Sequence, residues 1–224
     1  ANSCTANDLV NVIVHSLPAV SAGPDRILCT GSSATLSASG ATSYVWTPGG
    51  STSTSISVSP LSTTQYVVTG TDANGCVATD SANVTVNPLP NVSVGPDKAI
   101  CTGSTTDLVA SGASTYAWSP GGATTSTILV SPLVNTTYIV TGTSSSGCTK
   151  KDTVLVAVNP VPVVSLSPTF ICPGFSTTLD AGNAGSTFAW STGETSQTIS
   201  VSDSGTYTVV VTSPNGCPAM GTST

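Results

Sequence analysis

The chain has 224 residues, of which 38% are apolar and only 6% charged, and its formal net charge is −6. With four basic residues in all, no surface can neutralise the phosphates of a nucleic acid or the head groups of an anionic membrane. No run approaches the roughly 20 apolar residues of a spanning helix, and no signal segment is present, so we expect any export signal to have been removed or to lie upstream.

One motif occurs three times. Residues 29–76 recur 72 positions later as residues 101–148, and a looser third copy covers residues 172–217. Residues 1–18 match residues 73–90 at the same offset, so we expect a window of a longer array. The predicted domains are a C-terminal strand remnant of a preceding repeat (1–18), repeat 1 (19–88), repeat 2 (89–160) and repeat 3 (161–224), which lacks its last strand.

Within each copy, apolar residues alternate with Ser and Thr, which indicates short β-strands between Gly- and Pro-rich turns. Two prolines within four residues, at 87–90 and 159–162, predict stiff linkers between the copies. No helical period of useful length is present. In repeat 1 the predicted strands are residues 33–39, 43–47, 54–59, 65–70 and 82–87.

The third copy carries the clearest family signature. The segment 203–207, DSGTY, resembles the tyrosine corner of immunoglobulin domains, and residues 174–181 resemble their B strand. The order of motifs, from VSAGPD at 20–25 to VTVNPLP at 84–90, is similar to the Ig-like/PKD-like repeats of Bacteroidota surface and secreted proteins. The resemblance covers essentially the whole chain. It implies tandem immunoglobulin-like β-sandwiches of about 72 residues in an extended array, exported by type IX secretion, with an adhesive or structural role outside the cell or at its surface.

Seven widely spaced cysteines, with no CxxC pair, indicate disulfides of an oxidising compartment rather than a zinc site or a redox centre. We expect one bridge inside each repeat, which would staple a small core. Cys4 is then left unpaired or forms an intermolecular bond. The predicted pairs are Cys29–Cys76, Cys101–Cys148 and Cys172–Cys217.

One tryptophan and one late tyrosine recur in every copy. The tryptophans alternate with small residues, as a core tryptophan of a sandwich does, although tryptophans of a carbohydrate-binding module stack on sugars instead. The tyrosines are predicted to bond the backbone through their hydroxyl groups. The core residues predicted in this way are Trp46, Trp118, Trp190, Tyr66, Tyr138 and Tyr207.

Sites for chemistry are scarce. His15 is the only histidine, so no histidine-centred triad can form in a complete copy, and we expect neither an enzyme nor a cofactor. Asp25 and Asp97 suggest either calcium ligands or turn formers, and turn formation explains them adequately. Ser81 and Thr153 follow aspartates in triplets that resemble the Bacteroidota O-glycosylation acceptor, or they are exposed polar starts of strands.

The repeats favour a structural component of an extracellular fibre, adhesin stalk or cell-surface spacer. Its partners would be neighbouring copies or adjacent repeats, without nucleic acid or membrane insertion. Strand donation between subunits is one way to build a fibre. A carbohydrate-binding or adhesive recognition module, with surface glycans as partners, is the alternative. The candidate donor residues are Leu9, Val10, Val12 and Val14.

Overall fold

A computed structural model describes residues 6–224; Cys4 lies outside the described residues. All regular structure in that range is β-strand, and within it no helix is long and apolar enough to cross a membrane. The chain divides into two compact units. The first comprises the residues up to Pro90 together with Ser144–Thr149, and the second comprises Asn91–Thr143 and Lys150–Thr224.

The first unit contains the sandwich of repeat 1. One sheet has the strand order β1-β6-β5-β3 and the other pairs β2 with β4. Alternation places the apolar side chains of both sheets between them. The strands are β1 Arg26–Cys29, β2 Ala34–Ser37, β3 Ser43–Thr47, β4 Ser55–Val58, β5 Thr64–Thr71 and β6 Val77–Asn87.

Strand β6 is the longest strand of repeat 1, and it has two different partners. Its first eight residues, from Val77 to Val84, pair antiparallel with β5. Its last four, from Val84 to Asn87, pair in parallel with β1, so that Cys29 lies beside Asn87. Strand β1 therefore depends on the far half of β6.

The second unit contains repeat 2 with the same two sheets, ordered β7-β12-β11-β9 and β10-β8. Strand β12 repeats the double pairing of β6, and Cys101 at the end of β7 lies beside Asn159. The strands are β7 Lys98–Cys101, β8 Thr106–Val109, β9 Thr115–Ser119, β10 Thr127–Val130, β11 Thr136–Thr143 and β12 Thr149–Asn159.

Repeat 3, also in the second unit, has five strands, with β14-β16-β17 in one sheet and β13-β15 in the other. Strand β17 pairs antiparallel with β16, as the first part of β6 pairs with β5. The expectation that repeat 3 lacks its last strand concerned the counterpart of residues 84–87, and it stays a prediction. Residues 169–172, the counterpart of β1, form no strand. The strands are β13 Thr177–Asp180, β14 Thr187–Trp190, β15 Thr198–Val201, β16 Tyr207–Thr212 and β17 Pro218–Ser223.

Three separate hydrophobic cores fill the sandwiches, and each falls inside one predicted repeat. Trp46, Trp118 and Trp190 are 0%, 2% and 5% exposed. The indole N–H of each donates to a backbone carbonyl 2.9–3.0 Å away, so the polar atom of each ring is satisfied. The prediction of tandem immunoglobulin-like β-sandwiches is confirmed, while the repeat boundaries stay a prediction.

Residues 6–20 belong to no strand. The sequence predicts a strand remnant here, but these residues form no β-pairing with the rest of the described chain. Their apolar side chains are exposed as a result, for example Leu9 at 95% and Val14 at 88%. An isolated strand is not stable in water, because its backbone groups have no ladder partner.

Candidate functional site: the cysteine bonds and the open end of repeat 3

The disulfides join successive repeats. Cys29 of repeat 1 bonds Cys148 of repeat 2, and Cys101 of repeat 2 bonds Cys217 of repeat 3, each with a Cα–Cα distance of 5.6 Å. The predicted pairs Cys29–Cys76, Cys101–Cys148 and Cys172–Cys217 are therefore wrong. Cys76, which is half-buried, and Cys172, which is exposed, are free.

Strand length explains why the pairing within a repeat fails. Cys29 lies beside Asn87 at the end of β6, whereas Cys76 lies in the turn just before β6 begins at Val77. At about 3.3 Å per residue, these ends are roughly 33 Å apart, while a disulfide requires Cα atoms roughly 4–7 Å apart. The predicted strand order could have excluded a bond within one repeat, although it does not identify the partner cysteine. Strands that alternate in direction place the start of the second strand and the last turn at opposite ends of a sandwich.

The turn that carries the second cysteine has the same geometry in all three repeats. Asp72 Oδ1 accepts from the backbone N–H of Cys76 at 2.8 Å. Ser144 and Ser213 accept from the equivalent N–H groups of Cys148 and Cys217 through their Oγ atoms, both at 3.1 Å. The cysteine carbonyl then accepts from the N–H of the turn's first residue at 2.8–3.0 Å in each case. The free Cys76 is thus held like the two bonded cysteines.

Each bonded turn cysteine also contacts the end of the preceding repeat's last strand. Cys148 Sγ lies 3.9 Å from the carbonyl oxygen of Asn87, and Cys217 Sγ lies 3.9 Å from that of Asn159. The two asparagines are the register partners of Cys29 and Cys101. Two groups therefore surround each bonded turn cysteine: the cysteine that ends β1 or β7, and the carbonyl of the asparagine that ends β6 or β12. These two groups are called the seat of the turn cysteine.

Within residues 6–224, one end of repeat 3 has no paired strand at the place of β1 and the far half of β6; it is called the open end here. A cavity of about 260 Å³ lies there in the second unit. In repeat 1 the corresponding place is closed by the far half of β6, whose Val84 is fully buried, and by β1. Phe170, in the segment that corresponds to β1, is 96% exposed. The residues that line the cavity include Thr169, Phe170, Ile171, Leu179, Val201 and Tyr207.

Four aspartates tie the start of repeats 1 and 2 to the last strand, a role that sequence reasoning missed. Asp80 Oδ2 accepts from the Ala22 N–H at 2.8 Å, and this bond, with one from Ser81, holds the pKa of Asp80 below its ordinary value. Asp25 Oδ1 accepts from the Asn83 N–H at 2.7 Å. Asp152 and Asp97 make the equivalent bonds in repeat 2. These contacts give the recurring aspartates a structural role in each repeat.

The predicted glycosylation residues lie next to these aspartates. Ser81 is half-buried, and its Oγ accepts from Gln65 Nε2 at 3.3 Å, whereas Thr153 is exposed. Glycosylation stays a prediction. Within residues 6–224, no group of three or more His, Cys, Asp or Glu side chains is placed to hold a metal ion.

The tyrosines divide into two kinds. Tyr207 donates its hydroxyl to the Asp203 carbonyl at 2.9 Å, as in a tyrosine corner. Tyr66 and Tyr138 are buried in their cores. In repeats 1 and 2 the bonds between hydroxyl and backbone belong to Tyr44 and Tyr116 instead, which contact the backbone three residues earlier. Sequence reasoning did not single out these two residues.

No protein-family model and no curated protein matches the chain. Among solved structures, it is similar to immunoglobulin domains 1–5 of Sidekick-1 at 16% identity and a TM-score of 0.34, covering 93% of this chain and 59% of that one. The Bacteroides ovatus glucan-utilization protein SGBP-B, in complex with a mixed-linkage heptasaccharide, matches at 14% identity and a TM-score of 0.24, covering 98% and 71%.

A Ca²⁺-stabilized adhesin of an Antarctic bacterium that binds ice matches at 15% identity and a TM-score of 0.33, covering 93% of this chain and 74% of that one. The chain thus spans 59% of the length of the Sidekick-1 structure. Sequence identities of 14–16% and TM-scores of 0.24–0.34 are too low to identify a relative. Membership of the Bacteroidota repeats and export by type IX secretion stay predictions.

Proposed function

We propose that this chain is a non-catalytic segment of an extracellular fibre, stalk or cell-surface spacer, and that it carries tension. The observation that carries the proposal is the pair of overlapping disulfides, Cys29–Cys148 and Cys101–Cys217. Bonds of this kind persist in oxidising compartments outside the cytosol. Each one connects a repeat to the next, so the linkers at 87–90 and 159–162 are not the only covalent connection between sandwiches.

The overlap of the two bonds shortens the path along which tension travels. The shortest covalent route runs from residue 1 to 29, crosses to 148, returns to 101, and crosses to 217–224, about 85 residues in all. Fully extended, that route measures about 290 Å, against about 760 Å for the whole 224-residue chain. With both bonds intact, an array whose sandwiches unfold therefore reaches less than half of the length that it would reach without them.

Single-molecule pulling from the two ends tests this role. We expect the oxidised chain to reach a final contour length of about 290 Å, and the chain treated with dithiothreitol to reach about 760 Å. Replacing Cys29 and Cys148 by serine leaves one bond and a route of about 109 residues, or about 370 Å. An oxidised chain that extends as far as the reduced one would contradict the proposal.

The mode of assembly that we propose is donation of a strand between copies. Residues 12–15 of one copy would occupy the open end of repeat 3 in another. At the offset of 72, Val12 corresponds to Val84, which is buried in repeat 1, and Val14 corresponds to Val86. The donor segment is already exposed and free of pairing. Val12 and Val14 would therefore face the groove, as Val84 and Val86 share one face of β6, and Ile13 would stand at the position of Thr85.

The register of repeat 1 gives the docked arrangement. Arg26 to Cys29 pair in parallel with Val84 to Asn87. The same pairing would place residues 169–172 of repeat 3 beside residues 12–15 of the donor. Those receiving residues include Phe170 and Ile171, which line the cavity. Backbone hydrogen bonds would supply affinity, and burial of the two valines would fix the register.

Substitution of Val12 by aspartate should abolish polymerisation, because the charge would take the buried place of Val84 in a cavity whose lining includes Asp203 and no basic side chain. Asn11→Asp is the matched control: it adds the same charge at the position of Asn83, which is exposed in repeat 1. The measurement is particle length by electron microscopy with mass by light scattering. Appending the sequence of Val84–Pro90 after Thr224 should fill the groove and keep the chain monomeric. Polymers of unchanged length from the Val12 variant would refute donation.

The alternative, recognition of glycans through the recurring tryptophans, is not supported by their burial. At 0–5% exposure, none of the three indole faces is available to stack on a sugar ring.

A further inference from the structure

The two bonds obey one rule. A cysteine that ends the first strand of a repeat, Cys29 or Cys101, bonds the turn cysteine of the following repeat, Cys148 or Cys217. Within residues 6–224, this rule leaves one cysteine of each kind free: the turn cysteine of repeat 1, Cys76, and the first-strand cysteine of repeat 3, Cys172. The two free cysteines are therefore of the two kinds that bond each other inside the chain.

The turn that carries Cys76 already has the conformation of the turns that carry the two bonded cysteines. Cys76 accepts at its carbonyl and donates at its N–H within the turn that begins at Asp72, as Cys148 and Cys217 do in their turns. The left-handed glycine before each cysteine has φ of 80–81° in all three repeats. The turn therefore needs no change of conformation for Cys76 to bond as Cys148 and Cys217 do.

The surroundings of Cys172 lack one group that the seats at Cys29 and Cys101 contain, and strand donation would supply that group. The seat at Cys29 contains the carbonyl of Asn87, and the seat at Cys101 contains that of Asn159. Among the residues that the structure describes, Cys172 has no such neighbour, and residues 169–172 form no strand. In the proposed docking, His15 of the second copy lies at the position of Asn87, since the two are 72 residues apart. Its backbone carbonyl would then complete the seat beside Cys172.

We propose that Cys172 of one copy and Cys76 of a second copy form an intermolecular disulfide that covalently closes the junction between them. The inference rests on the proposed head-to-tail assembly. One S–S bond forms, and the two thiols lose two protons and two electrons. A small-molecule disulfide, or the disulfide of a thiol oxidoreductase, accepts them and is reduced to two thiols. The junction then reproduces the two bonds found inside the chain.

The test is a non-reducing denaturing gel of the full chain after incubation with oxidised glutathione. We expect a ladder at multiples of 22.0 kDa that collapses to one band on reduction, with a Cys76–Cys172 peptide found by mass spectrometry. Cys76→Ser and Cys172→Ser should each abolish the ladder, and Cys4→Ser should retain it. An equimolar mixture of the Cys76→Ser and Cys172→Ser proteins keeps one free cysteine of each kind, so it should stop at a covalent dimer.

A ladder that survives in Cys76→Ser, or links composed of two copies of Cys172, would overturn the inference. Electron microscopy of the same samples separates it from the proposed assembly. Fibres that form without any ladder overturn the covalent bond and leave strand donation standing. A ladder that persists in Val12→Asp supports the disulfide and shows that it forms without strand donation. Absence of both fibres and ladder overturns both.

Discussion

Replacing Cys29 and Cys148 together by serine is expected to lower the free energy of unfolding by about 5 kcal/mol. The bond closes a loop with a sequence separation of 119, and in the chain-entropy account a loop of that size restricts the unfolded chain by about this amount. The loss should appear as a lower denaturant midpoint, followed by tryptophan fluorescence. Because the bond connects repeats 1 and 2, their transitions should also separate.

The matched control replaces Cys76 and Cys172, which form no bond within the chain. This pair of substitutions also exchanges two sulfur atoms for oxygen, but breaks no bond, so it should leave the midpoint of the monomer unchanged. If instead the control pair destabilised the monomer by several kcal/mol and the Cys29 and Cys148 pair did not, the pairing described above would be wrong. Peptide mapping of the native chain, with Cys29 linked to Cys148, checks the connectivity directly.

Gly40→Ala is the second substitution with a large expected effect, a loss of about 2–5 kcal/mol. A Cβ atom at this position would lie 1.8 Å from the carbonyl oxygen of Ala19, which cannot give way without moving the backbone beside the Ser21–Ser39 bridge. The φ angle of +89° adds backbone strain. Strain of this kind costs about 1–2 kcal/mol, and overpacking about 1–3 kcal/mol.

Gly31→Ala separates the two contributions. Gly31 has nearly the same φ angle, +86°, but nothing lies within 4 Å of its Cβ position. It should therefore show only the backbone strain, about 1–2 kcal/mol. Gly112→Ala in repeat 2 should match Gly40→Ala, because its Cβ would meet the Asn91 carbonyl oxygen at 1.9 Å. Equal losses at Gly31 and Gly40 would show that the close approach to Ala19 does not matter.

The buried side chains of each sandwich can be predicted from the alternation of apolar and polar residues along single strands. Residues 43–47 were predicted as a strand and form β3, and Trp46 is buried at the position that alternation gives it. A two-residue period decides which side chains share a face, so neighbouring residues suffice for this inference. The same holds for Leu36 in β2, which is 1% exposed.

Strand β1 could not be found in this way. Ile27 in its middle is 73% exposed, so its four residues show no clear alternation. The strand exists because the far half of β6 offers a row of backbone groups to pair with. In repeat 3 the equivalent residues, 169–172, pair with no described strand and form none themselves. Local propensity is weak beside such long-range pairing.

The sequence by itself determined the repeat, the all-β class and the buried tryptophans, because these depend on periodicity and composition. Only the tertiary structure decided which cysteines meet. Spacing along the chain suggested Cys29 with Cys76, but a strand of 11 residues, β6, holds them at opposite ends of one sandwich. Cys29 instead meets Cys148 of the next repeat. A disulfide requires proximity in space, and in an antiparallel sandwich that proximity is set by strand length and direction.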